Sequence, residues 1–515
     1  MPTYLSPGVY VEEVEAGSRP IEGVGTAVGA FVGLAPKGPL NQPTLVSNWS
    51  QFTQAFGEFV EGYYLAHAVY GFFQNGGGNC YIVRIGGEGP SHNGSGPVAA
   101  LPSGASARLG PYEVQAVEAG TVGNDITVEV VDPGEGAPED AFKLVVKRGN
   151  DVVEEYDNAT TKKGRQNLAT MVNAASKLIK IVEVTGAGLE PVARGSVSLS
   201  GGTSPAPPAG PAPALSPGDY VGDANTRTGF GGLEAITPVT MVSVPDLMAA
   251  YKRGLIDLEG VKAVQLAMIA HCELMGNRVA VLDPPPELSA QDIREWRVNG
   301  AGYDSKYATL YWPWIKVFDP ATGSNIFVPP SGHILGVWGR NDDTRGVHKA
   351  PANEVIRGVI DLELNITATE QELLNPVGVN CIRTFPGRGI RIWGARTLSS
   401  DPAWRYVSIR RLFNYLEESI LNGTQWAVFE PNDRALWAKI RRTIAAFLVN
   451  EWRKGALFGS TPDEAFYVKC DDETNPAEGI DAGQVVCEIG VAPVKPAEFV
   501  IFRLAQFSGG ASLTE

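Results

Sequence analysis

The chain has 515 residues, which is too many for one hydrophobic core, and we expect about three or four domains. Hydrophobic residues make up 44% and charged residues 19% of it, as in ordinary globular proteins, and no apolar run approaches the ~20 residues that a membrane-spanning helix needs. The net charge of −15 argues against a nucleic-acid-binding protein, because phosphate neutralisation requires a basic face.

Residues 1–22 are predicted to form an extended arm. Apolar and aromatic side chains dominate its first part, whereas Gly17 and Pro20 interrupt any regular element that follows. The opening residues lack the basic and apolar regions of a secretory signal, so we expect assembly in a cytoplasm. The residues predicted to form a strand in this arm are Tyr4, Val9, Tyr10, Val11 and Val14.

An α/β domain is predicted from 23–87 together with 226–370. Strand-like and helix-like patterns alternate there, which is typical of a largely parallel sheet. The predicted strands are 26–31, 80–85, 239–244, 278–282 and 308–317, and the predicted helices are 50–73, 261–275 and 289–296.

Residues 88–225 differ in composition and are predicted to be a β-rich domain inserted into a surface loop. Three strand-like runs, 112–117, 126–131 and 142–147, precede one helix at 168–179. The stretch 201–218 is rich in Pro, Ala and Gly, and it is too poor in large apolar side chains to form a core.

A C-terminal α+β domain is predicted over 371–495, followed by a C-terminal arm at 496–515. Asp401 and Pro402 predict the start of one amphipathic helix, and a second begins near Asp433. This second helix is basic, with Arg434, Lys439, Arg441, Arg442, Arg453 and Lys454 outside its apolar face. The arm is predicted to form a strand that includes Phe499, Val500, Ile501, Phe502 and Leu504.

No catalytic or metal-binding pattern stands out. The dipeptide Gly-Lys is absent, which excludes a P-loop, and neither GxSxG nor HExxH occurs. The histidines are not at metal-ligand spacing, and the five cysteines are far apart in the sequence, so buried free thiols are expected. We therefore predict no cofactor and no metal, and a protein that is not an enzyme.

Separated motifs carry a family resemblance. They are LSPGVYVEEV and AFVGLAPKGPLNQPTLVSNWSQFTQAFG near the start, SGHILGVWGR and RGVHKAPANEVIRGV within 331–359, and GRGIRIWGARTLSSDPAWRYVSIRRLF, QWAVFEPND, GALFGSTPDEAFYVKC and VAPVKPAEFVIFRLAQ within 386–507. In this order they resemble the contractile tail sheath family of myophages, R-type pyocins and related injection systems. Residues 90–225 show no such match.

The resemblance implies a structural subunit that polymerises around an inner tube and switches from an extended to a contracted lattice. It also implies that both terminal arms add strands to neighbouring subunits, that the insertion lies on the outside of the cylinder, and that the basic helix faces the tube. The implied partners are further copies of the chain, the tube protein, and baseplate and tail-terminator or cap proteins. Neither nucleic acid nor direct membrane insertion is implied, and the setting is a phage tail or a phage-tail-like particle assembled in a bacterial cytoplasm.

Three alternatives stay open at this point. A static tube or capsid-like assembly would also use strand exchange. An enzyme built on the α/β domain would place its site in the loop near Asp283, at the carboxyl end of a predicted strand. The basic helix face is as readily explained by simple solvation as by contact with a tube.

Overall fold

The structure is a computed structural model that describes residues 20–86, 104–201 and 215–503, except for 120, 134–137, 139–140, 150, 163, 165, 177 and 184–191. The arm residues Tyr4, Val9, Tyr10, Val11 and Val14, and also Leu504, lie outside the described residues. The chain divides into two compact units, one made of 1–87 with 215–515 and the other of 88–214.

The strands, in chain order, are β1 (Gly29–Gly33), β2 (Thr44–Val46), β3 (Cys80–Arg84), β4 (Gly104–Leu109), β5 (Tyr112–Ala119), β6 (Ile126–Val131), β7 (Phe142–Arg148), β8 (Asp151–Ala159), β9 (Ile179–Glu183), β10 (Gly195–Ser198), β11 (Met241–Ser243), β12 (Val279–Leu282), β13 (Ala308–Trp312), β14 (Ile315–Asp319), β15 (Ser324–Val328), β16 (Glu354–Val355), β17 (Asp361–Leu362), β18 (Val379–Phe385), β19 (Gly389–Ile392), β20 (Phe466–Lys469) and β21 (Glu488–Val491).

The α-helices, in chain order, are α1 (Trp49–Phe56), α2 (Leu65–Gln74), α3 (Leu168–Ala175), α4 (Pro217–Val221), α5 (Asp246–Lys252), α6 (Leu258–Met275), α7 (Ala290–Glu295), α8 (Ser331–Arg345), α9 (Ala368–Leu374), α10 (Val407–Gly423), α11 (Arg434–Arg453), α12 (Pro462–Ala465) and α13 (Ala477–Asp481). Of the helices described, none is both long and apolar enough to cross a lipid bilayer.

A nine-stranded sheet forms the centre of the first unit, in the order β16-β19-β18-β13-β12-β11-β1-β3-β2. Its middle strands, from β18 to β3, pair in parallel, whereas the strands at both edges are antiparallel. Every residue of β1 and β13 is buried, as expected for strands that are covered on both faces. A mixed α/β architecture is therefore present, as predicted.

The prediction of one long strand over 308–317 is wrong, because these residues form two strands that belong to two different sheets. Pro313 separates β13 from β14, and a proline cannot donate the backbone hydrogen bond that a continuous ladder needs. Strand β14 instead pairs antiparallel with β15 and β17 in a small sheet of its own.

The nine-stranded sheet also extends past residue 371, where we predicted that a C-terminal domain begins. Strand β18 pairs in parallel with β13, so residues on both sides of that boundary share one sheet. The division of the chain into domains otherwise stays a prediction.

Glycines in the SGHILGVWGR motif allow α8 to lie very close to α2. A Cβ atom added to Gly332 would overlap the backbone of Ala68, and one added to Gly336 would overlap the carbonyl oxygen of Phe72. Both helix faces are buried at this contact. The motif is thus explained by backbone-to-backbone packing of two core helices.

Replacing Gly336 by Ala is expected to destabilise the subunit by about 1–3 kcal/mol, because the helices must move apart to admit the methyl group. The measurement is urea-induced unfolding of the purified chain. Gly78→Ala is the matched control, because a Cβ atom at Gly78 meets no atom within 4 Å. Equal midpoints for the two variants would contradict the packing argument.

The second unit contains two antiparallel sheets, β10-β6-β7-β8 and β4-β5-β9. Their inner faces and α3 enclose a core that includes Val128, Leu144 and Val172. The three predicted strands are found close to their predicted positions. The predicted helix ends at Ala175 rather than at residue 179, because Ser176 is extended and 179–183 forms β9.

The C-terminal helices α10 and α11 share a smaller core of the first unit with β20 and β21. The helix predicted to start at Asp401-Pro402 begins at Val407 instead. Pro402–Trp404 forms a separate 3₁₀ turn, where the Asp401 carboxylate accepts a hydrogen bond from the Ala403 amide over 2.8 Å. Tyr406 is extended and separates this turn from α10.

Candidate assembly surfaces

The C-terminal segment, defined here as residues 496–503, presents a continuous apolar surface to solvent. Phe499, Val500, Ile501 and Phe502 are 69–83% exposed. Among the described residues, no strand pairs with this segment, so the strand predicted here does not form within one subunit. Its β-branched and aromatic side chains are typical of a strand, but none of the described strands lies beside it.

The segment is nevertheless fixed at its base by Glu498. The Arg396 guanidinium donates to both carboxylate oxygens, over 2.9 Å from Nε and 2.6 Å from Nη2. The Asn375 side-chain amide donates to Oε1 over 2.8 Å, and the Tyr406 hydroxyl donates to Oε2 over 2.9 Å. We call this group of four side chains the clasp, and its Glu498 directly precedes the four exposed apolar residues that begin at Phe499.

The electrostatics of the clasp favour a charged carboxylate. Burial alone raises the pKa of Glu498, but hydrogen bonds from Arg396, Asn375 and Tyr406 outweigh burial and hold the pKa below its usual value. The stabilisation is therefore present at neutral pH and is lost only as the pH falls through this lowered pKa. No local sequence pattern predicts the clasp, because Arg396 and Glu498 are 102 positions apart in the chain.

Strands β20 and β21 form an isolated two-stranded antiparallel sheet near α11. Its one ladder joins Phe466–Lys469 to Glu488–Val491, and no third strand flanks it among the described residues. Two strands alone are only marginally stable, and unpaired edges can accept an added strand. Tyr467 is largely exposed on this sheet.

Four of the six basic residues predicted to contact a tube are engaged within the subunit. Arg434 pairs with Asp472 over 3.1 Å and Lys454 with Glu451 over 2.7 Å. The Lys439 ammonium lies over the Trp426 ring, 4.2 Å from its centroid, and Arg441 Nη1 donates to the Cys470 carbonyl over 2.9 Å. These contacts engage the four charged groups within the subunit, while the Arg434 and Lys454 side chains stay 82% and 61% exposed.

The remaining two, Arg442 and Arg453, are exposed and have no side-chain partner among the described residues. They are eleven positions apart, which is about three helical turns, so they lie on the same side of α11. The opposite side of the helix carries the buried residues Leu436, Ile440, Ile444 and Phe447. We call the side with Arg442 and Arg453 the basic face.

A buried ion pair ties α10 to α8 and to the start of the described chain. Arg411 Nη2 lies 2.5 Å from the Asp342 carboxylate, and both side chains are almost completely buried. The Thr26 hydroxyl donates to the same carboxylate over 2.7 Å, and its carbonyl accepts from Arg411 over 2.9 Å. The Arg411 guanidinium also lies over the Trp338 ring. This network holds α10 against α8 and against the chain at Thr26.

Asp283, the residue around which an enzymatic site was considered, has a structural role. Its oxygens accept from the Ser331 amide over 3.0 Å and from the Ser331 hydroxyl over 2.5 Å, which anchors the first turn of α8. Burial raises the pKa of Asp283, and the two hydrogen bonds from Ser331 lower it. Burial has the larger effect, so the pKa is raised to about 7. No group of three or more His, Cys, Asp or Glu side chains is placed to hold a metal ion in the described part of the chain.

Comparison with known families supplies the decisive observation. Residues 235–398 match the phage tail sheath protein central domain, and 399–507 match the phage tail sheath C-terminal domain. The two matches are adjacent and together cover more than half of the chain. The chain belongs to the phage tail sheath family. This assignment confirms the family resemblance and the prediction of a structural protein that is not an enzyme.

Individual relatives agree with this assignment. The tail sheath protein of Burkholderia phage BcepMu is 23% identical over 96% of this chain and 95% of its own length. The tail sheath protein of Vibrio phage KVP40 is 27% identical over 46% of this chain and 38% of its own length. A putative prophage major tail sheath protein of Pseudomonas aeruginosa is 26% identical over 47% of this chain and 61% of its own length. The chain thus spans less than two thirds of the last two relatives.

Solved structures share the fold. The anti-feeding prophage helical sheath in its contracted state matches with a TM-score of 0.58 and 24% identity, over 98% of this chain and all of that one. The sheath complex of the extracellular contractile injection system PVC, also in its contracted state, matches with a TM-score of 0.58 and 22% identity. This match covers 98% of the present chain and 99% of the PVC chain. The predicted tail-sheath fold is thereby confirmed at the level of the whole mixed α/β chain.

Proposed function

We propose that the chain is the subunit of a contractile sheath, which polymerises around an inner tube and drives the tube out by changing from an extended to a contracted lattice. The observation that carries this proposal is the exposed apolar segment held by the clasp, in a chain of the tail sheath family. Such a segment is costly to leave in water, and a neighbouring copy offers the sheet edge that would cover it.

Strand addition between copies is the proposed link. The C-terminal segment supplies unpaired backbone groups and four consecutive apolar side chains, and the two-stranded sheet supplies unpaired edges. The N-terminal arm is proposed to do the same, through Tyr4, Val9, Tyr10, Val11 and Val14. Links of this kind are proposed to keep copies joined while the subunits move as nearly rigid bodies.

Contraction needs no nucleotide under this proposal. Contacts between subunits that differ between the two lattices supply the free energy, and small differences add up over many copies. The second unit is proposed to lie on the outside of the cylinder, with baseplate and tail-terminator or cap proteins at the ends. Assembly is proposed to take place in a bacterial cytoplasm, as part of a phage tail or a phage-tail-like particle.

Electron microscopy of the chain co-expressed with its tube protein tests the proposal. We expect cylinders around a tube in one helical geometry, and shorter, wider and empty cylinders after triggering. A single geometry under all conditions would favour a static assembly over a contractile sheath. If no polymer formed with the tube and baseplate proteins present, both the contractile sheath and the static assembly would be rejected.

The basic face of α11 is proposed to contact the tube. Reversing Arg442 and Arg453 to Glu is expected to weaken association with the tube about tenfold or more, since each exposed pair contributes up to ~1 kcal/mol and reversal adds repulsion. The measurement is binding of the tube protein at low and moderate salt. If the double variant bound the tube protein with unchanged affinity and unchanged salt dependence, and still co-assembled with it, the basic face would be rejected as the tube-contacting surface.

Two controls sharpen that experiment. Arg294→Glu changes an exposed charge on α7, far along the chain from α11, and is expected to leave tube binding unaltered. Arg441→Glu lies outside the basic face and breaks the hydrogen bond to the Cys470 carbonyl, so it is expected to lower stability rather than to act on tube binding directly. A loss of tube binding by Arg294→Glu equal to that of Arg442→Glu would indicate a general charge effect.

A further inference from the structure

The ends of the two-stranded sheet bring together two cysteines that are widely separated in the sequence. The ladder pairs Lys469 with Glu488, so the next positions along it are Cys470 and Cys487. Each thiol also contributes to the pKa shift of the other, as expected for two side chains that lie close together. Directly opposed residues of antiparallel strands have Cα atoms ~4.5–5.5 Å apart, which lies inside the range that disulfides span.

Asn475 holds the two cysteines in this arrangement. Its side-chain amide donates to the Val486 carbonyl over 3.0 Å and accepts from the Val486 amide over 2.7 Å. The same amide lies 3.8 Å from Cys470 Sγ, and Asn475 is buried. Arg441 fixes the other side through the Cys470 carbonyl. The backbone on both sides of the cysteine pair is therefore hydrogen-bonded in place.

The other three cysteines differ from this pair. Cys80, Cys272 and Cys381 are free cysteines that are fully buried in the core of the nine-stranded sheet. Cys487 is only half-buried, so a solute can reach it, whereas Cys470 behind it is buried. This order of exposure suits a pair in which the outer thiol reacts first.

We propose that Cys470 and Cys487 form a reversible disulfide that closes the loop between β20 and β21. The oxidant is a small disulfide such as oxidised glutathione. The Cys487 thiolate attacks one of its sulfurs and releases one glutathione thiol, which leaves a mixed disulfide. The Cys470 thiolate then attacks the Cys487 sulfur, forms the Cys470–Cys487 bond and releases the second glutathione thiol, so two electrons and two protons end on glutathione.

The reaction is expected to be slow at neutral pH. Burial raises the pKa of the Cys470 thiol, and burial together with the neighbouring Cys470 raises the pKa of Cys487 to about 12. Arg441 opposes this rise, whereas Asp471 and Glu488 add to it. Because the thiolate is the nucleophile, the pair stays reduced in a reducing cytoplasm and closes after prolonged exposure to an oxidising medium.

The consequence for assembly rests on the proposed function. A disulfide would fix the spacing of the two strands that are proposed to accept an arm from another copy, and so would make that acceptor more rigid. Oxidation after release of a particle would then strengthen the links between copies without any change in the subunit core. The disulfide itself does not depend on this role, and its test is separate.

The test uses the full chain, purified under reduction and incubated with oxidised glutathione at mildly alkaline pH. Tryptic cleavage leaves both cysteines in one peptide, since no Lys or Arg lies between Cys470 and Lys495. We expect that peptide to lose two hydrogens, and cleavage at Glu473 and Glu478 to yield fragments that stay linked until reduction. Cys80, Cys272 and Cys381 are expected to remain free thiols in the same sample.

Three results would overturn the disulfide. They are a lasting mixed disulfide of glutathione at Cys487, disulfide-linked chain dimers, or two free thiols after complete unfolding of the oxidised sample. Cys487→Ser is the control, because it removes the more exposed thiol and is expected to abolish closure while the chain still folds. Cylinder assembly is measured in a separate experiment, on the Cys487→Ser variant and on the oxidised chain. If neither forms cylinders, the proposed sheath function is contradicted, while the result for the disulfide still stands.

Discussion

Removing residues 499–515 is expected to abolish ordered cylinders while the subunit remains folded. The described part of this stretch is exposed and contributes nothing to either hydrophobic core of the first unit, so unfolding is expected to be unchanged. Assembly fails because the apolar strand that is proposed to join another copy is absent. Electron microscopy and circular dichroism of the purified chain give the two measurements.

The matched control is removal of 508–515, the polar end of the chain, which keeps the apolar strand and is expected to assemble normally. Ile501→Pro separates strand pairing from simple apolar attraction, since proline cannot donate a ladder hydrogen bond but is itself apolar. We expect this single change to disrupt cylinders almost as strongly as the truncation. Normal cylinders from the truncated chain would reject strand exchange at this end. Removal of 1–15 is the equivalent experiment at the other end.

Replacing Asp342 by Ala is expected to destabilise the subunit by about 3–5 kcal/mol. The change leaves the Arg411 guanidinium buried without its carboxylate, and it removes the acceptor of the Thr26 hydroxyl. Denaturant unfolding followed by tryptophan fluorescence measures the loss, because Trp338 lies against Arg411. The neighbouring exposed residue supplies the control, and Asp343→Ala is expected to change stability by less than ~0.5 kcal/mol.

A double variant tests the cause of that loss. Arg411→Met combined with Asp342→Leu removes both charges, so most of the stability is expected to return, because no unpaired charge is left in the core. If the double variant were as unstable as Asp342→Ala, packing rather than charge burial would explain the effect. If Asp342→Ala lowered the free energy of unfolding no more than Asp343→Ala does, the ion-pair network would contribute nothing measurable to the stability of the fold.

Patterns within single elements were predictable from the sequence, because periodicity and capping depend on nearby residues. The parallel strands β1, β3, β11, β12 and β13 were found from their short apolar runs between helices. Errors arose where one residue interrupts a pattern. Pro313 divides an apolar run into two strands of different sheets, and the extended Tyr406 delays the start of α10.

The assembly surfaces could be predicted only in part, for a different physical reason. The apolar run 499–502 is visible in the sequence, but it has no partner strand among the described residues, so no pattern in the sequence reveals what it pairs with. Among the basic residues of α11, exposure and engagement depend on tertiary neighbours such as Cys470 and Asp472. The contact between Cys470 and Cys487 follows from strand register, which spacing in the sequence does not disclose.

The clasp has a mechanical consequence. Any tension on the C-terminal segment enters the subunit at Glu498, where charge-assisted hydrogen bonds connect it to three separate places in the chain, Asn375, Arg396 and Tyr406. These bonds lie outside the two hydrophobic cores of the first unit, so we expect a pull that exceeds their strength to detach the C-terminal segment before it opens either core. We expect the same bonds to re-form once the pull ends, because the side chains that make them stay in place.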